Sequence, residues 1–446
     1  MDGEPLAPKR KFERCFRRQH RYKAAGGKWR KQMIMHRRAV LGTGMLAAAA
    51  IGAPALAQQR RTEETIRIGI LHDMSGAYRD ISGPTSVACA RQAVREFQDA
   101  NPGIGVDLLV ADHQNKSDVG LAVARQWFDR DGVDVVLGVS NSALAIAMKT
   151  VVEQKDKVHL NTSAATSALT SEHCSSNAIH WAYDTYCLSH ATGEPLVKQG
   201  YNTWFFITPN YAFGHTLQAD TTHSVEAGGG RVLGAVTYPF PETTDFSAFL
   251  LQAQASRAKV VAFLGAGTDF VNAVKQAQEF GLMRSGIRFV GLTGYINSVM
   301  SLGLQTAQGM TQTETFYWDL NDRTRAFMDR LRPQLPANTF PCHNHAGDYS
   351  ALVHYLKVAK AMGPARAKAS GKDAVAAMVE MPTDDDCFGQ GTIRRDGRKL
   401  HPTYLFEVKS PAESRGPGDV YKILAVTPAD RSFRPIADGM CAMAKS

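Results

Sequence analysis

Past residue 57, this 446-residue chain has no long hydrophobic run, no excess of positive charge and no closely spaced cysteine pair. A membrane-spanning helix needs ~20 consecutive apolar residues; no run after residue 57 reaches that length, so no spanning helix is expected there. The formal net charge of +9 is equally local. Residues 1–57 hold 13 of the 51 Lys+Arg and 3 of the 42 Asp+Glu, which leaves 38 against 39 in the remaining 389 residues, a net charge of −1. A nucleic-acid binder keeps a basic stripe within its folded domain, and without one no nucleic-acid partner is expected. Of seven cysteines only Cys15 precedes residue 57; Cys89, Cys174, Cys187, Cys342, Cys387 and Cys441 show no CxxC spacing, so a structural zinc site is not expected. Disulfides among these six are permitted in an oxidising compartment, but sequence does not choose the pairing.

Catalytic signatures are missing too. Gly138-Val139-Ser140-Asn141-Ser142 lacks the second glycine of a nucleophile elbow, and Gly265-Ala266-Gly267 is not completed to GxGxxG. No enzyme activity, cofactor or metal is therefore expected. An exported hydrolase using Ser140 or Ser142 stays open as an alternative, as does a structural or adhesion protein. His343-Asn344-His345, two histidines at i and i+2 in a Pro/Asn-rich stretch, is expected to be a surface loop rather than a metal site. Asp384-Asp385-Asp386 is expected to be a solvated loop, because its spacing is not that of a calcium-binding EF-hand.

What is present begins with Arg37-Arg38, followed by Val40-Leu41, a Gly/Ala-rich apolar core and Ala55-Leu56-Ala57. A paired arginine, a weakly hydrophobic core and a small-x-small ending match a twin-arginine secretory leader, with cleavage expected after Ala57. The alternative is a membrane anchor. Gly42, Gly44, Gly52 and Pro54 interrupt the run and Gln58-Gln59-Arg60-Arg61 follows at once, which argues for removal. Residues 1–34 are expected to be an over-long start upstream of Met35, the alternative being a basic nucleic-acid arm.

From Thr65 onward, short apolar runs alternate with longer amphipathic segments, as strands and helices do in a parallel sheet. Strands are expected at 66–71, 106–111, 133–137 and 158–160, with helices at 83–100 and 119–131. The same grammar restarts after Asp184, with strands at 204–207, 231–236, 260–264 and 289–292 between helices at 213–227, 245–256 and 269–280. Later helices are expected at 346–362 and 373–380, and strands at 392–394, 404–408 and 421–424. The length exceeds the ~250–300 residues at which single cores stop growing. Two α/β lobes of similar, doubly wound design follow.

Asp73-Met74-Ser75-Gly76-Ala77-Tyr78, Ser140-Asn141-Ser142, Asn161-Thr162-Ser163-Ala164-Ala165-Thr166 and Asn210-Tyr211-Ala212-Phe213-Gly214, in this order, resemble the type I periplasmic binding proteins. Within them the chain is similar to the leucine/isoleucine/valine-binding-protein branch, the solute receptors of ABC importers. Asp112-His113-Gln114-Asn115-Lys116, Phe316-Tyr317-Trp318-Asp319 and Pro411-Ala412-Glu413-Ser414 are similar to a subgroup associated with aromatic and other organic acids. The resemblance implies two lobes joined by a three-segment hinge, here 65–182 plus 318–403 and 183–317 plus 404–446. It also implies a periplasmic monomer that closes on a small organic acid and delivers it to an inner-membrane ABC permease.

Site residues follow from physics and family together. Ligands of open α/β sheets sit beyond the carboxyl ends of the strands, where helix N-termini favour a carboxylate. Ser140, Asn141, Ser142, Ser163, Ala164 and Thr166 lie there, although N-capping alone would also explain such residues. By its place in the motif Tyr211 is the expected contact from the second lobe, with Tyr78 as an apolar wall; Tyr183 and Asp184 lie at the first crossover. Gly267 and Thr293 fall where the resemblance places an aromatic and an acidic residue for an amino acid's ammonium. That departure weakens an amino-acid ligand unless Asp269 or Asp184 supplies the charge.

Overall fold

The computed structural model describes residues 65–284 and 286–445. The twin-arginine leader and the cleavage point expected after Ala57 lie outside them. Strands β1 (Ile66–His72), β2 (Val106–Asp112), β3 (Val135–Gly138), β4 (Val158–Asn161) and β5 (Ala178–His180) form an all-parallel sheet in the order β2-β1-β3-β4-β5. Four more, β6 (Thr203–Pro209), β7 (Arg231–Tyr238), β8 (Val260–Phe263) and β9 (Arg288–Gly291), form a second parallel sheet in the order β7-β6-β8-β9. Central strands such as β3 and β8 are buried along their whole length because helices cover both faces, and they accordingly read as unbroken apolar runs.

Beyond β9 the chain adds β10 (Thr311–Glu314) and then leaves the second lobe. Its helix His343–Met362 packs on the first lobe's helix Gly83–Ala100. A short hairpin follows, β11 (Thr383–Asp385) and β12 (Gly389–Gly391), before β13 (Thr403–Val408) and β14 (Tyr421–Thr427) join β10 in an antiparallel sheet. That sheet packs beside the second lobe's helix Thr185–Lys198. Two doubly wound lobes with three connecting segments are thus observed.

Two of these connections are stitched together. Arg398, fully buried, donates from Nη2 to the Trp181 carbonyl (2.6 Å) and from Nη1 to the Tyr183 carbonyl (3.3 Å). Its guanidinium carbon lies 4.3 Å from the Phe433 ring centroid, and Asp184 supplies the nearest carboxylate at 3.5 Å. Burial lowers the Arg398 pKa to about 10, which leaves it charged at neutral pH.

Several expectations are corrected. Residues 392–394 form no strand, only an isolated bridge between Ile393 and Lys399. Asp384 and Asp385 belong to β11, and the Asp385 carboxylate is buried, accepting from Ser350 Oγ and the Cys387 and Phe388 amides. His343-Asn344-His345 is no surface loop but the buried first turn of a helix. The tail after β14 returns to the first lobe, where Cys441 forms a disulfide with Cys174. Cys89, Cys187, Cys342 and Cys387 are free and buried.

Among the described residues no helix is long and apolar enough to cross a membrane, and no cluster of three or more His, Cys, Asp or Glu is placed to hold a metal ion.

Candidate functional site

The loop after β1 is wound around one carboxylate. Asp73 accepts from the Gly76 amide (2.6 Å) and the Tyr78 amide (2.9 Å), an Asx-type turn that sets Tyr78 at the lobe's edge. After β6, Tyr211 caps the helix Ala212–Ala227 and its amide bonds to the Pro209 carbonyl at 2.9 Å. A Cβ on Gly214 would lie 2.0 Å from that carbonyl, so only glycine fits this turn.

The two tyrosines meet across the cleft, hydroxyl to hydroxyl. Phe240 stacks on both, with ring centroids 5.3 Å from Tyr78 and 4.7 Å from Tyr211. Burial raises both phenol pKa values, so each hydroxyl keeps its proton. Nearby, the Thr268 amide donates to the Ala77 carbonyl at 3.0 Å, and Thr166 Oγ1 meets Thr216 Oγ1 at 3.0 Å. The cleft is closed.

Behind this seam lies a tight cavity of about 10 Å³, space for roughly one water, lined by Tyr78, Ile81, Ser140, Ser142, Ser163, Ala165, Tyr183, Tyr211, Phe213, Ala266 and Asn344. Six of the twelve sequence-expected site residues line it: Tyr78, Ser140, Ser142, Ser163, Tyr183 and Tyr211. The others do different work. Asn141 caps the helix Ser142–Lys155 through the Leu144 amide and donates to Asn115. Ala164 packs in the first lobe's core, and Thr166 caps a short 3-10 turn while touching the opposite lobe. Asp184 caps the helix Thr185–Lys198 and faces Arg398. Thr293 donates to the Gly265 carbonyl at 2.6 Å. Gly267 has φ +60°, and a Cβ there would lie 2.1 Å from the Ala77 carbonyl oxygen, so it is where the lobes touch.

Electrostatically the cavity is unusual in having no charged side chain among its lining residues. What it has is helix starts. Ser142, Phe213 and Asn344 sit in the first turns, and Tyr211 and Ala266 at the caps, of helices Ser142–Lys155, Ala212–Ala227, Gly267–Glu279 and His343–Met362. Four helix N-termini therefore border one space and bring partial positive charge to it. Ser140 adds a hydroxyl whose role is fixed. Its Oγ accepts from the Asp73 amide at 3.1 Å and meets His113 Nε2 at 3.0 Å. Since His113 Nδ1 accepts from the Asn115 amide, the ring proton sits on Nε2 and donates to Ser140. Burial pulls the His113 pKa down to about 3. The histidine is thus a donor and not a base for Ser140, and the Ser140 proton remains free to donate to a guest. The preceding turn is strained to deliver it, with β-branched Val139 at φ +68°.

Ile81, Ala165, Phe213, Ala266 and Asn344 were not expected from sequence. Asn344 is the most informative of them, because neither polar atom of its buried side chain makes a well-formed hydrogen bond, although it interacts with the Tyr183 hydroxyl; Ser163 Oγ also lacks a partner. Close by the seam, Asp269 accepts from Tyr238 Oη at 3.1 Å and pairs with no cation among the described residues; burial raises its pKa to about 7.

Comparison with known proteins agrees with this geometry. Residues 65–416 match the family described as periplasmic binding protein. A periplasmic binding protein from Burkholderia mallei is 40% identical, superimposes with a TM-score of 0.80, and is matched over 99% of its chain and 85% of this one. A branched chain amino acid ABC transporter periplasmic ligand-binding protein from Burkholderia xenovorans LB400 is 35% identical with a TM-score of 0.74, matched over 100% of its chain and 85% of this one. A solute binding protein of an ABC transporter from Rhodopseudomonas palustris BisB5, solved with 3,4-dihydroxybenzoic acid, shares the fold at 21% identity and TM-score 0.73, over 98% of its chain and 82% of this one. No protein of curated function matches.

Proposed function

Because this chain belongs to the periplasmic binding proteins, receptors of ABC importers rather than enzymes, we propose that its cleft closes on a small organic carboxylate, an aromatic acid in preference. The observation that carries this reading is the convergence of four helix N-termini and the Ser140 hydroxyl on a cavity with no charged lining residue. Such a site solvates an anion with fixed donors. The tyrosine and phenylalanine rings around it supply a flat apolar wall. In the closed form this space is only about 10 Å³, so a ring and a carboxylate enter as the lobes part and Tyr78 and Tyr211 separate. The benzoate-type ligands of the R. palustris relatives support the same class.

The periplasm is the location consistent with the family and its relatives. Cleavage after Ala57 would release the mature receptor there, acting as a monomer that hands its ligand to an inner-membrane permease. Lobes near 65–182 plus 318–403 and 183–317 plus 404 to about 427, with the tail strapped back, would move about the three connections. Only a ligand touching both lobes favours closure.

A branched-chain amino acid is the second reading. It is favoured by Asp269, a buried carboxyl without a cation near Tyr78 and Tyr211, and by the description of the 35% identical relative. A thermal-shift screen of the purified protein separates the two, since a ligand at 100 times its Kd adds about 2.7 kcal/mol of stability. Benzoates that shift the melting curve while leucine, isoleucine and valine do not support the first reading. The reverse result overturns it.

A further inference from the structure

We propose that Asn344, together with Ser163, is the specificity-determining pair of the cleft, and that it recognises a hydroxyl or carboxamide carried by the ligand in addition to its carboxylate. This rests on the carboxylate reading above and narrows it. The starting point is an imbalance. Buried polar groups in folded proteins are almost always hydrogen-bonded, and one left bare costs about 1–3 kcal/mol. Asn344 is buried to 1% exposure, yet neither its Oδ1 nor its Nδ2 makes a well-formed hydrogen bond, its amide only interacting with the Tyr183 hydroxyl, and Ser163 Oγ is bare at 4% exposure. Both line the cavity.

Their positions are held rather than accidental. The Tyr183 hydroxyl donates to the Ser163 carbonyl at 2.9 Å, and the same ring stacks on His343, the residue before Asn344, with centroids 4.1 Å apart. One tyrosine therefore fixes both members of the pair. On the other side of Asn344, His345 Nδ1 accepts from the Cys342 amide at 3.1 Å, which pins the first turn of the helix. Burial holds both flanking histidines neutral. Asn344 thus offers an uncharged amide from a rigid base.

The chemistry of that amide is what selects. Ser140 presents a proton, and the helix starts present N–H groups; all of these are donors, suited to a carboxylate. An asparagine side chain, whichever way it is turned, presents one donor and one acceptor. A carboxylate satisfies the donor only. A group that both gives and takes a hydrogen bond, such as a phenolic hydroxyl or a carboxamide, satisfies both halves, and Ser163 Oγ can serve it from beside. A plain benzoate would leave the Asn344 acceptor bare, and sites built to pair a hydroxyl discriminate strongly against analogues lacking it.

The test is calorimetric titration of the purified protein with benzoate, 3-hydroxybenzoate, 4-hydroxybenzoate and 4-carbamoylbenzoate. At least one substituted acid is expected to bind tenfold or more tightly than benzoate. Asn344→Leu, close in size but unable to hydrogen-bond, is expected to cut that advantage below threefold; Ser163→Ala is expected to fall between. Should Asn344→Leu fail to fold by circular dichroism, the same ratio is read in Asn344→Ala. Equal affinity for all four acids in the wild type, or an advantage that survives in the Asn344 variants, overturns the inference and leaves the carboxylate reading standing. If none of the four acids binds, both fall together.

Discussion

Gly267 offers the sharpest test of lobe closure, because alanine there is penalised twice for separable reasons. The backbone at φ +60° costs an L-residue roughly 1–2 kcal/mol, and this cost is the same whether the cleft is open or shut. The second penalty exists only when shut. The new Cβ would lie 2.1 Å from the Ala77 carbonyl oxygen, so the first-lobe loop must retreat by about 1.5 Å to reach ordinary contact distance. That retreat gives up the hydrogen bond from the Thr268 amide to Ala77, 3.0 Å long and contributing about 1 kcal/mol. It also loosens the stacking of Tyr78 and Tyr211 on Phe240, where such contacts contribute about 0.5–1.5 kcal/mol. A closed-state loss of about 2 kcal/mol corresponds to roughly 30-fold weaker binding. Titration of Gly267→Ala with 4-hydroxybenzoate measures it, and small-angle scattering should show a more open ligand-free form. A folded Gly267→Ala protein that binds within twofold of wild type would refute this account of how the lobes meet.

Tyr211→Ala removes the hydroxyl paired with Tyr78 and one face of the Phe240 stack; titration should show binding at least tenfold weaker with the fold retained by circular dichroism, and unchanged affinity would remove Tyr211 from the site. Asp269, held near pKa 7 in the fold against 3.8 for an unperturbed aspartate, binds its proton more tightly when folded. Stability from this group therefore falls as pH rises from about 4 to 7, by up to about 1.4 kcal/mol per unit. Asp269→Asn should accordingly raise the melting temperature more at pH 8 than at pH 5, and an equal change at both would contradict the assignment. Replacing Cys174 and Cys441 together by serine should cost about 2–5 kcal/mol, with hydrogen exchange accelerated in residues 433–445; protection equal to wild type would show that the tail is held without the bond.

The parallel sheets were legible because their strands are buried on both faces and so appear as short apolar runs between amphipathic helices. Trp204 to Ile207 in β6 and Val260 to Phe263 in β8 are such runs. The short strands β5 and β10 were not, since Thr311-Gln312-Thr313-Glu314 is wholly polar in sequence and wholly buried in the fold. The same mismatch hid Asn344. Polar residues in a Pro/Asn-rich stretch suggest solvent, and only tertiary packing turns this one inward. Asp184 is the converse case: an acid at a crossover can line the cleft or pack the hinge, and sequence shows neither its helix cap nor Arg398, 214 residues later in the chain. Neither the Arg398 clamp nor the Cys174–Cys441 bond leaves a local pattern, because each joins segments that only the three connections bring together.

If the cleft takes an anion, as proposed, doing so without a cation resolves the conflict between holding and releasing. A buried arginine or lysine in the cavity would bear a desolvation penalty in the empty receptor and lose its partner whenever the ligand left. Helix N-termini bear no such penalty, since their amides carry partial charge and are solvated readily when the lobes part. Each contributes about 0.3–1 kcal/mol toward an anion at an exposed site and up to ~2 kcal/mol when partly buried. The attraction therefore grows as closure excludes water and weakens as the cleft opens. Ser140 follows the same logic: with both lone pairs occupied by the Asp73 amide and His113, its proton has no internal acceptor among these partners and gains one only when a ligand arrives. At the hinge, Arg398 is kept behind the cleft and tied to backbone carbonyls and Asp184. Arg398→Met should then destabilise the fold by about 3–5 kcal/mol, yet change the affinity of whatever protein remains folded by less than threefold. Strong loss of affinity in the folded fraction would mean that the clamp tunes the hinge itself and not only its stability.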